Sequence, residues 1–158
     1  RPGLLLDGLG AASRPVAGVL AGTGSLADDL ERRGEALLGA GRLRMPGYIT
    51  REESAALFHG ALAVLYAPFE EDYGYVTLEA FLAGKPVVTT HDSGGVLEWV
   101  TDGVTGLVTD GSPEALGDAF DRLDGDRDLA ARLGAAGRAR AEALGWATVV
   151  DRLLAPVR

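Results

Sequence analysis

The order of the short apolar runs constrains this chain most. Pro15 to Ala21, Leu43 to Ile49, Ala61 to Pro68, Pro86 to Thr90 and Gly106 to Thr109 are each four to eight residues long, the length of a buried strand. Between them lie stretches with apolar residues at helical spacing: Leu26 to about Leu38, Glu52 to Gly60, Tyr75 to Leu82, Val96 to Val100 and a segment capped by Ser112 that runs through Leu123. Gly22-Thr23-Gly24, Thr50 with Glu53, Gly74, and Ser112 with Pro113 mark starts, and Gly39, Gly84 and Asp102-Gly103 mark stops. Strands that alternate with helices, with no hairpin signal joining two of them, predict an α/β fold. The expected architecture is a mostly parallel sheet with helices on both faces. Beyond Asp124-Gly125-Asp126 the chain turns rich in Ala, Arg and Leu. It is expected to be one unit over 1–158, with a sheet region over about 1–123 and a helical tail over about 126–158.

Composition excludes several function classes. A net charge of -8 argues against nucleic acid as a partner, since such surfaces concentrate Lys and Arg, and leaves a polyanionic ligand to be held by local backbone amides. With no cysteine there is neither a disulfide framework nor a thiolate metal site. No apolar run approaches the roughly 18 residues of a membrane span. The start, Arg1-Pro2-Gly3, has no initiator Met and no signal-peptide pattern, and Pro2 to Ala12 already reads as helix. The expectation is a cytoplasmic piece of something longer.

Open parallel sheets bind ligands at the carboxyl ends of their strands. Those ends carry Gly22-Thr23-Gly24, Gly47-Tyr48-Ile49, Glu70 to Gly74, and His91 to Gly95. In the third, Glu71 precedes and Glu79 follows the start of a helix opened by Gly74, with the first amides, those of Tyr75, Val76 and Thr77, expected to point out of the helix end. Such an end attracts phosphate. The carboxylates beside it would repel phosphate, so sugar or ribose hydroxyls are their natural partners. Alternatively, both acids only favour the helix end electrostatically, and local chemistry does not separate the two readings.

Glu71 to Glu79 resembles the E-x7-E motif of retaining GT-B glycosyltransferases. The likeness continues through Leu78-Glu79-Ala80-Phe81-Leu82-Ala83-Gly84-Lys85-Pro86-Val87-Val88, Ser93-Gly94-Gly95-Val96-Leu97-Glu98, and Asp102-Gly103-Val104-Thr105-Gly106-Leu107-Val108. The resemblance covers nearly the whole chain, as the C-terminal, donor-binding, Rossmann-like half of a GT-B fold. It implies metal-independent transfer of a sugar from a UDP-, GDP- or ADP-sugar, with no cofactor, in bacterial polysaccharide or glycolipid synthesis. It implies Glu71 as the catalytic acid facing the donor sugar and Glu79 on the ribose hydroxyls. Gly74, Tyr75, Val76 and Thr77 then contact sugar and diphosphate, Tyr48 and Ile49 the base, and Gly22 and Gly24 shape the turn after the first strand. The family's basic Arg and Lys, and the acceptor domain at the N-terminal side, fall outside this chain. The full-length enzyme is expected in the cytoplasm or peripherally at the inner face of the membrane, and the isolated segment to transfer little.

Two other classes stay open. Gly22-Thr23-Gly24-Ser25-Leu26-Ala27 fits a dinucleotide fingerprint, but no acid follows on the second strand, which leaves Arg44 and an NADP module. A non-catalytic nucleotide-binding or assembly domain is the other. Asp124-Gly125-Asp126 has the form of a metal-binding D-x-D, yet lies between helices, where a solvated turn is expected. His59 and His91 are too few for a histidine metal site. Glu98 is expected to anchor the Gly94-Gly95 loop. Trp99 and Trp146 are expected to pack, as are Leu129, Leu133, Leu144, Val149, Val150, Leu153 and Leu154 of an amphipathic tail.

Overall fold

The computed structural model describes residues 1–145. Trp146 and the remainder of the expected tail lie outside the described residues. The chain runs α1 (Gly3–Ala11), β1 (Gly18–Ala21), α2 (Ala27–Arg33), α3 (Glu35–Gly39), β2 (Leu43–Gly47), α4 (Arg51–Gly60), β3 (Val64–Leu65), α5 (Tyr75–Leu82), β4 (Val87–Thr90), a 3-10 turn (Gly95–Glu98), β5 (Gly106–Thr109), α6 (Pro113–Gly125) and α7 (Arg127–Glu142). Every ladder is parallel, as the strand–helix alternation requires. β1 pairs with β2, and β3, β4 and β5 pair in that order.

β4 shows how the layers are covered. Its four residues are all buried, and successive side chains of a strand point to opposite faces. Val88 accordingly packs with Leu6 and Leu9 of α1 and Leu116 and Phe120 of α6. Val87 packs instead with Ala80 and Phe81 of α5 and with Val96. Helices therefore cover both faces. α7 contributes Ala130 and Leu133 to the first layer and Ala141 to the second.

Local signals set most of the helix starts. Thr50 and Glu53 form a reciprocal capping box on α4, with Thr50 N–H donating to Glu53 at 2.7 Å. Ser112 caps α6 ahead of Pro113, its hydroxyl accepting from the Ala115 amide. Three expectations are corrected. The helix expected from Leu26 to Leu38 breaks at Gly34, where a Cβ would lie 2.7 Å from Leu43 Cδ2 and 3.0 Å from the Leu30 carbonyl. Close packing of that turn on β2 outweighs continuity. The strand expected over Ala61 to Pro68 shrinks to Val64–Leu65. α6 continues to Gly125, so the expected turn is reduced to Asp126, whose carboxylate caps α7 by accepting from the Leu129 amide at 2.8 Å.

α7 is drawn against α5 by glycines. A Cβ on Gly134 would stand 2.1 Å from the Gly84 carbonyl, and one on Gly137 would stand 2.4 Å from Phe81 Cδ1. Gly134→Ala must displace backbone and is expected to destabilise by roughly 1–3 kcal/mol. Gly10, with nothing within 4 Å, is a helical glycine in open space. Gly10→Ala should add up to roughly 1 kcal/mol through the unfolded state. Urea midpoints check the pair, and equal responses at the two positions would contradict the packing described.

Candidate functional site

Two loops leave the carboxyl ends of β3 and β4 and are tied backbone to backbone. The Glu70 amide donates to the Asp92 carbonyl at 2.9 Å, and the Gly95 amide donates to the Glu71 carbonyl at 2.6 Å. Glu71 and Gly94 make a parallel bridge. The approach excludes side chains, since a Cβ on Gly94 would be 2.6 Å from Glu71 O and one on Gly95 2.1 Å from Asp72 O. Gly94 takes φ 64, and Glu70 also sits in the left-handed region at φ 47. Buried Ser93 adds hydroxyl contacts at 2.8 Å to Thr89 and Thr90, and donates to the Pro68 carbonyl at 3.2 Å.

Arg1 clamps the same two loops from outside. Its guanidinium donates to the carbonyls of Ala67 at 2.9 Å and Pro68 at 2.7 Å, and to both carboxylate oxygens of Asp92 at 2.9 and 2.7 Å. It lies 5.9 Å from the Phe69 ring centroid. The Arg1 hydrogen bond, then that of Thr90, hold the Asp92 carboxyl down at about 2 against an ordinary 3.8. Arg1, Asp92 and Ser93 are the contributors that sequence reasoning missed. The polar glycine loop after a strand pointed toward Asp92 and Ser93, whereas nothing local marks a contact from Arg1 across 91 positions.

Within this frame Glu71 is half-buried and accepts from the Tyr66 hydroxyl at 3.2 Å. Burial, and then the hydrogen bond to Glu71, push the Tyr66 phenol up, so it remains a neutral donor. Gly74 opens α5 in the left-handed conformation, φ 75 and ψ 60, and is buried. A Cβ there would lie 2.7 Å from Val96 Cγ2. Tyr75 is 73% exposed and Val76 half-buried, and their amides, first in the helix, have no intrahelical acceptor. The expectation for Thr77 is corrected. Its amide donates to the Gly74 carbonyl at 2.9 Å and is unavailable, because the first turn tightens. What Thr77 brings is a hydroxyl, completely buried and without a partner among the described residues, 3.5 Å from where a Gly74 Cβ would stand.

The other sequence-identified residues divide by sheet. Glu79 is exposed one turn into α5, on the face it shares with Tyr75 four positions earlier. Gly22, at φ 128, follows β1 and donates its amide to Gly47 at the end of β2, at 2.8 Å. Gly24 is exposed in the same turn. Tyr48, 79% exposed, and half-buried Ile49 follow β2. α1 relates the two strand groups. Arg1, at its start, sits beyond β3, while Leu9, near its end, would touch a Cβ on Gly18 at the start of β1. β1 and β3 thus run the same way and put their carboxyl ends on one edge.

Several side chains are already committed elsewhere. Asp124 pairs with Arg14 at 2.7 Å and Arg127 at 2.8 Å, and Asp126 caps α7, so the D-x-D pattern is spent on helix geometry. The Gly94-Gly95 loop is anchored by the Glu71 backbone rather than by Glu98, whose own carbonyl accepts from Arg140 at 2.5 Å. Trp99 packs as expected, edge-on to Tyr73 at 5.6 Å between ring centroids. Concavity alone would direct attention to a cleft of about 350 Å³ lined by Leu62, Gly84, Lys85, Arg127 and Arg138. That cleft lies at the amino end of β4, away from the edge where unpaired amides and carboxylates converge, and the chemistry decides for the carboxyl edge.

Comparison with known proteins agrees on one family. The sequence model described as Glycosyl transferases group 1 matches residues 10–140. A D-inositol 3-phosphate glycosyltransferase of Streptomyces scabiei is 36% identical over 141 residues, covering 85% of this chain and 30% of that protein. A mouse alpha-1,3/1,6-mannosyltransferase is 36% identical over 88 residues, 56% of this chain and 21% of its own length. Among solved structures, Anabaena HepE in complex with UDP-glucose superposes with a TM-score of 0.79 at 25% identity, over 96% of this chain and 43% of that one. The C-terminal domain of a Francisella tularensis group 1 glycosyl transferase, LpcC, gives 0.74 at 21% identity, over 90% and 75%. The chain spans under a third of the length of these curated relatives.

The Arg1 clamp has a pH signature. Because the folded carboxyl of Asp92 titrates below its unfolded value, the clamp's contribution is complete above about pH 4. It is lost as pH falls through about 2. Carboxyl NMR should find Asp92 titrating near 2 and, in Arg1→Ala, back toward 3.8. An unchanged midpoint in the variant would rule out the clamp as cause.

Proposed function

Since the chain belongs to the Glycosyl transferases group 1 family, we propose that it is the donor-binding half of a retaining glycosyltransferase that moves a sugar from a nucleoside diphosphate-sugar to an acceptor hydroxyl. The observation that carries this reading is the start of α5. Two unpaired amides, those of Tyr75 and Val76, stand there beside a glycine with no room for a side chain. A diphosphate is the ligand whose oxygens such donors satisfy, and the helix dipole adds to the attraction. Glu71 before this point and Glu79 after it then accept from hydroxyls of the sugar and the ribose respectively. Tyr48 and Ile49 lie along the same edge for the base, with Gly22 and Gly24 shaping the turn beside them.

In the reaction the bond between the sugar's anomeric carbon and the diphosphate oxygen breaks, and the acceptor oxygen bonds to that carbon on the same face. The acceptor proton passes to the departing diphosphate. Charge accumulates on the diphosphate as it leaves, so preorganised donors there stabilise the transition state most. Glu71, oriented by Tyr66, faces the sugar through this change. No metal or cofactor enters the scheme. The acceptor site and the remaining positive charge on the diphosphate belong to the rest of the enzyme, which acts in the cytoplasm or peripherally at the membrane. No described helix is long and apolar enough to cross one.

A thermal-shift panel of UDP, GDP, ADP, their sugar conjugates and NADP tests the reading. At least one nucleoside diphosphate should raise the melting temperature and NADP should not. Glu79→Gln should weaken that ligand by roughly 1–3 kcal/mol, about five- to hundredfold, by leaving ribose hydroxyls without an acceptor. Stabilisation by NADP alone would select the dinucleotide module, and unchanged diphosphate affinity in Glu79→Gln would remove Glu79 from the site.

A further inference from the structure

We propose that Tyr73 and Tyr75 form a shelf on which a neutral sugar ring of the acceptor stacks, a reading that rests on the donor-binding role given above. Among the described residues four Phe, Tyr and Trp side chains are exposed, Tyr48, Phe69, Tyr73 and Tyr75, and all four follow β2 or β3 at the carboxyl edge. Phe81 and Phe120 sit instead in the two cores. Large rings are ordinarily covered, so their display along one edge marks that edge for contact. Tyr48 lies with Ile49 after β2, and Phe69 stands near the Arg1 guanidinium. Tyr73 and Tyr75 remain, on either side of Gly74.

The backbone fixes this pair. Gly74 is left-handed, φ 75 and ψ 60, and has no room for a Cβ, so the turn that joins the two rings is held in one form. Their centroids stand 4.9 Å apart with the planes inclined at 51°. Trp99 braces Tyr73 edge-on at 5.6 Å. The Arg140 guanidinium of α7 lies 5.9 Å from the Trp99 ring centroid and donates to the Glu98 carbonyl at 2.5 Å, so α7 supports the shelf from behind. Tyr75 in front is 73% exposed. A tyrosine loses little rotamer freedom on binding, which suits a braced pair to recognition.

The surrounding chemistry selects a sugar. A pyranose offers a patch of C–H bonds to an aromatic face and a rim of hydroxyls that need acceptors. The stretch from Phe69 to Glu79 supplies both, with the carboxylates of Glu70, Glu71, Asp72 and Glu79 and no Lys or Arg among them. Glu71 and Glu79 serve the donor, which leaves Asp72, exposed beside Tyr73, for the rim hydroxyls. An anionic acceptor group would meet repulsion there, so the stacked ring is a neutral one. Tyr75 carries both an amide for the diphosphate and a ring for the shelf. One residue thus links the two substrates.

Tyrosine-ring NMR on the chain, with methyl β-D-glucopyranoside as the probe, tests this. The glucoside should shift the Tyr73 and Tyr75 ring resonances saturably, with a Kd on the order of 10 mM. Tyr75→Ala should weaken it at least about threefold, and Tyr75→Phe should not, because the ring face carries the stacking. Glucose 6-phosphate should bind more weakly at low ionic strength. UDP-glucose should leave the glucoside shifts in place, since the donor's own sugar occupies a different position. UDP, followed at the Tyr75 and Val76 amides, reports separately on the donor reading. UDP shifts without glucoside shifts would sink the shelf alone, whereas glucoside shifts without UDP shifts would remove the donor reading and the acceptor role with it. The proposal is overturned by the absence of saturable ring shifts up to about 200 mM glucoside, or by unchanged affinity in Tyr75→Ala. Equal losses in Tyr75→Phe and Tyr75→Ala, glucose 6-phosphate binding as tightly as the glucoside, displacement by UDP-glucose, or ring shifts that follow protein concentration instead would overturn it as well.

Discussion

A single backbone hydrogen bond, from the Gly95 amide to the Glu71 carbonyl at 2.6 Å, is what the rest of the site depends on. It closes two loops against each other more tightly than any side chain permits, so Gly94 and Gly95 are the only residue type the contact tolerates. β4 is the buried reference for the arrangement, because its carboxyl end launches the 91–95 loop and its two faces address two cores. The position of Glu71 follows, then that of Gly74, then the direction of α5. Phe81 anchors that helix from within, and the close contact of Gly84 with Gly134 of α7 fixes its far end.

The electrostatics of the edge are local. A chain of net charge -8 draws an anion only through local donors, and the start of α5 supplies the amides of Tyr75 and Val76. Among the described residues Arg1 bonds these loops directly. Its hydrogen bonds to Asp92 and two carbonyls make it a structural clamp.

Much of the scaffold was legible because its signals are local. Thr50 with Glu53 and Ser112 with Pro113 carry their own hydrogen-bond partners within four residues, and Gly74 and Gly84 bracket α5 by their freedom at positive φ. What was not legible was decided across the chain. Gly34 breaks a helix because Leu43 packs against it, and only Val64 and Leu65 of a longer apolar run pair with β4. The Thr77 amide, counted with the helix-end donors from sequence, turns inward to Gly74, and the hydroxyl is buried. The glycine pair at 94–95 was visible as a turn, while its reason, a backbone seated against it, was not.

The claim that a diphosphate sits at the start of α5 is tested most directly by titrating the isotopically labelled chain with UDP and mapping amide shifts. The account predicts saturable shifts greatest at Tyr75 and Val76, with Gly74 and the Glu71 loop following. Saturable shifts centred on Lys85 and Arg127, with Tyr75 and Val76 unmoved, would contradict it.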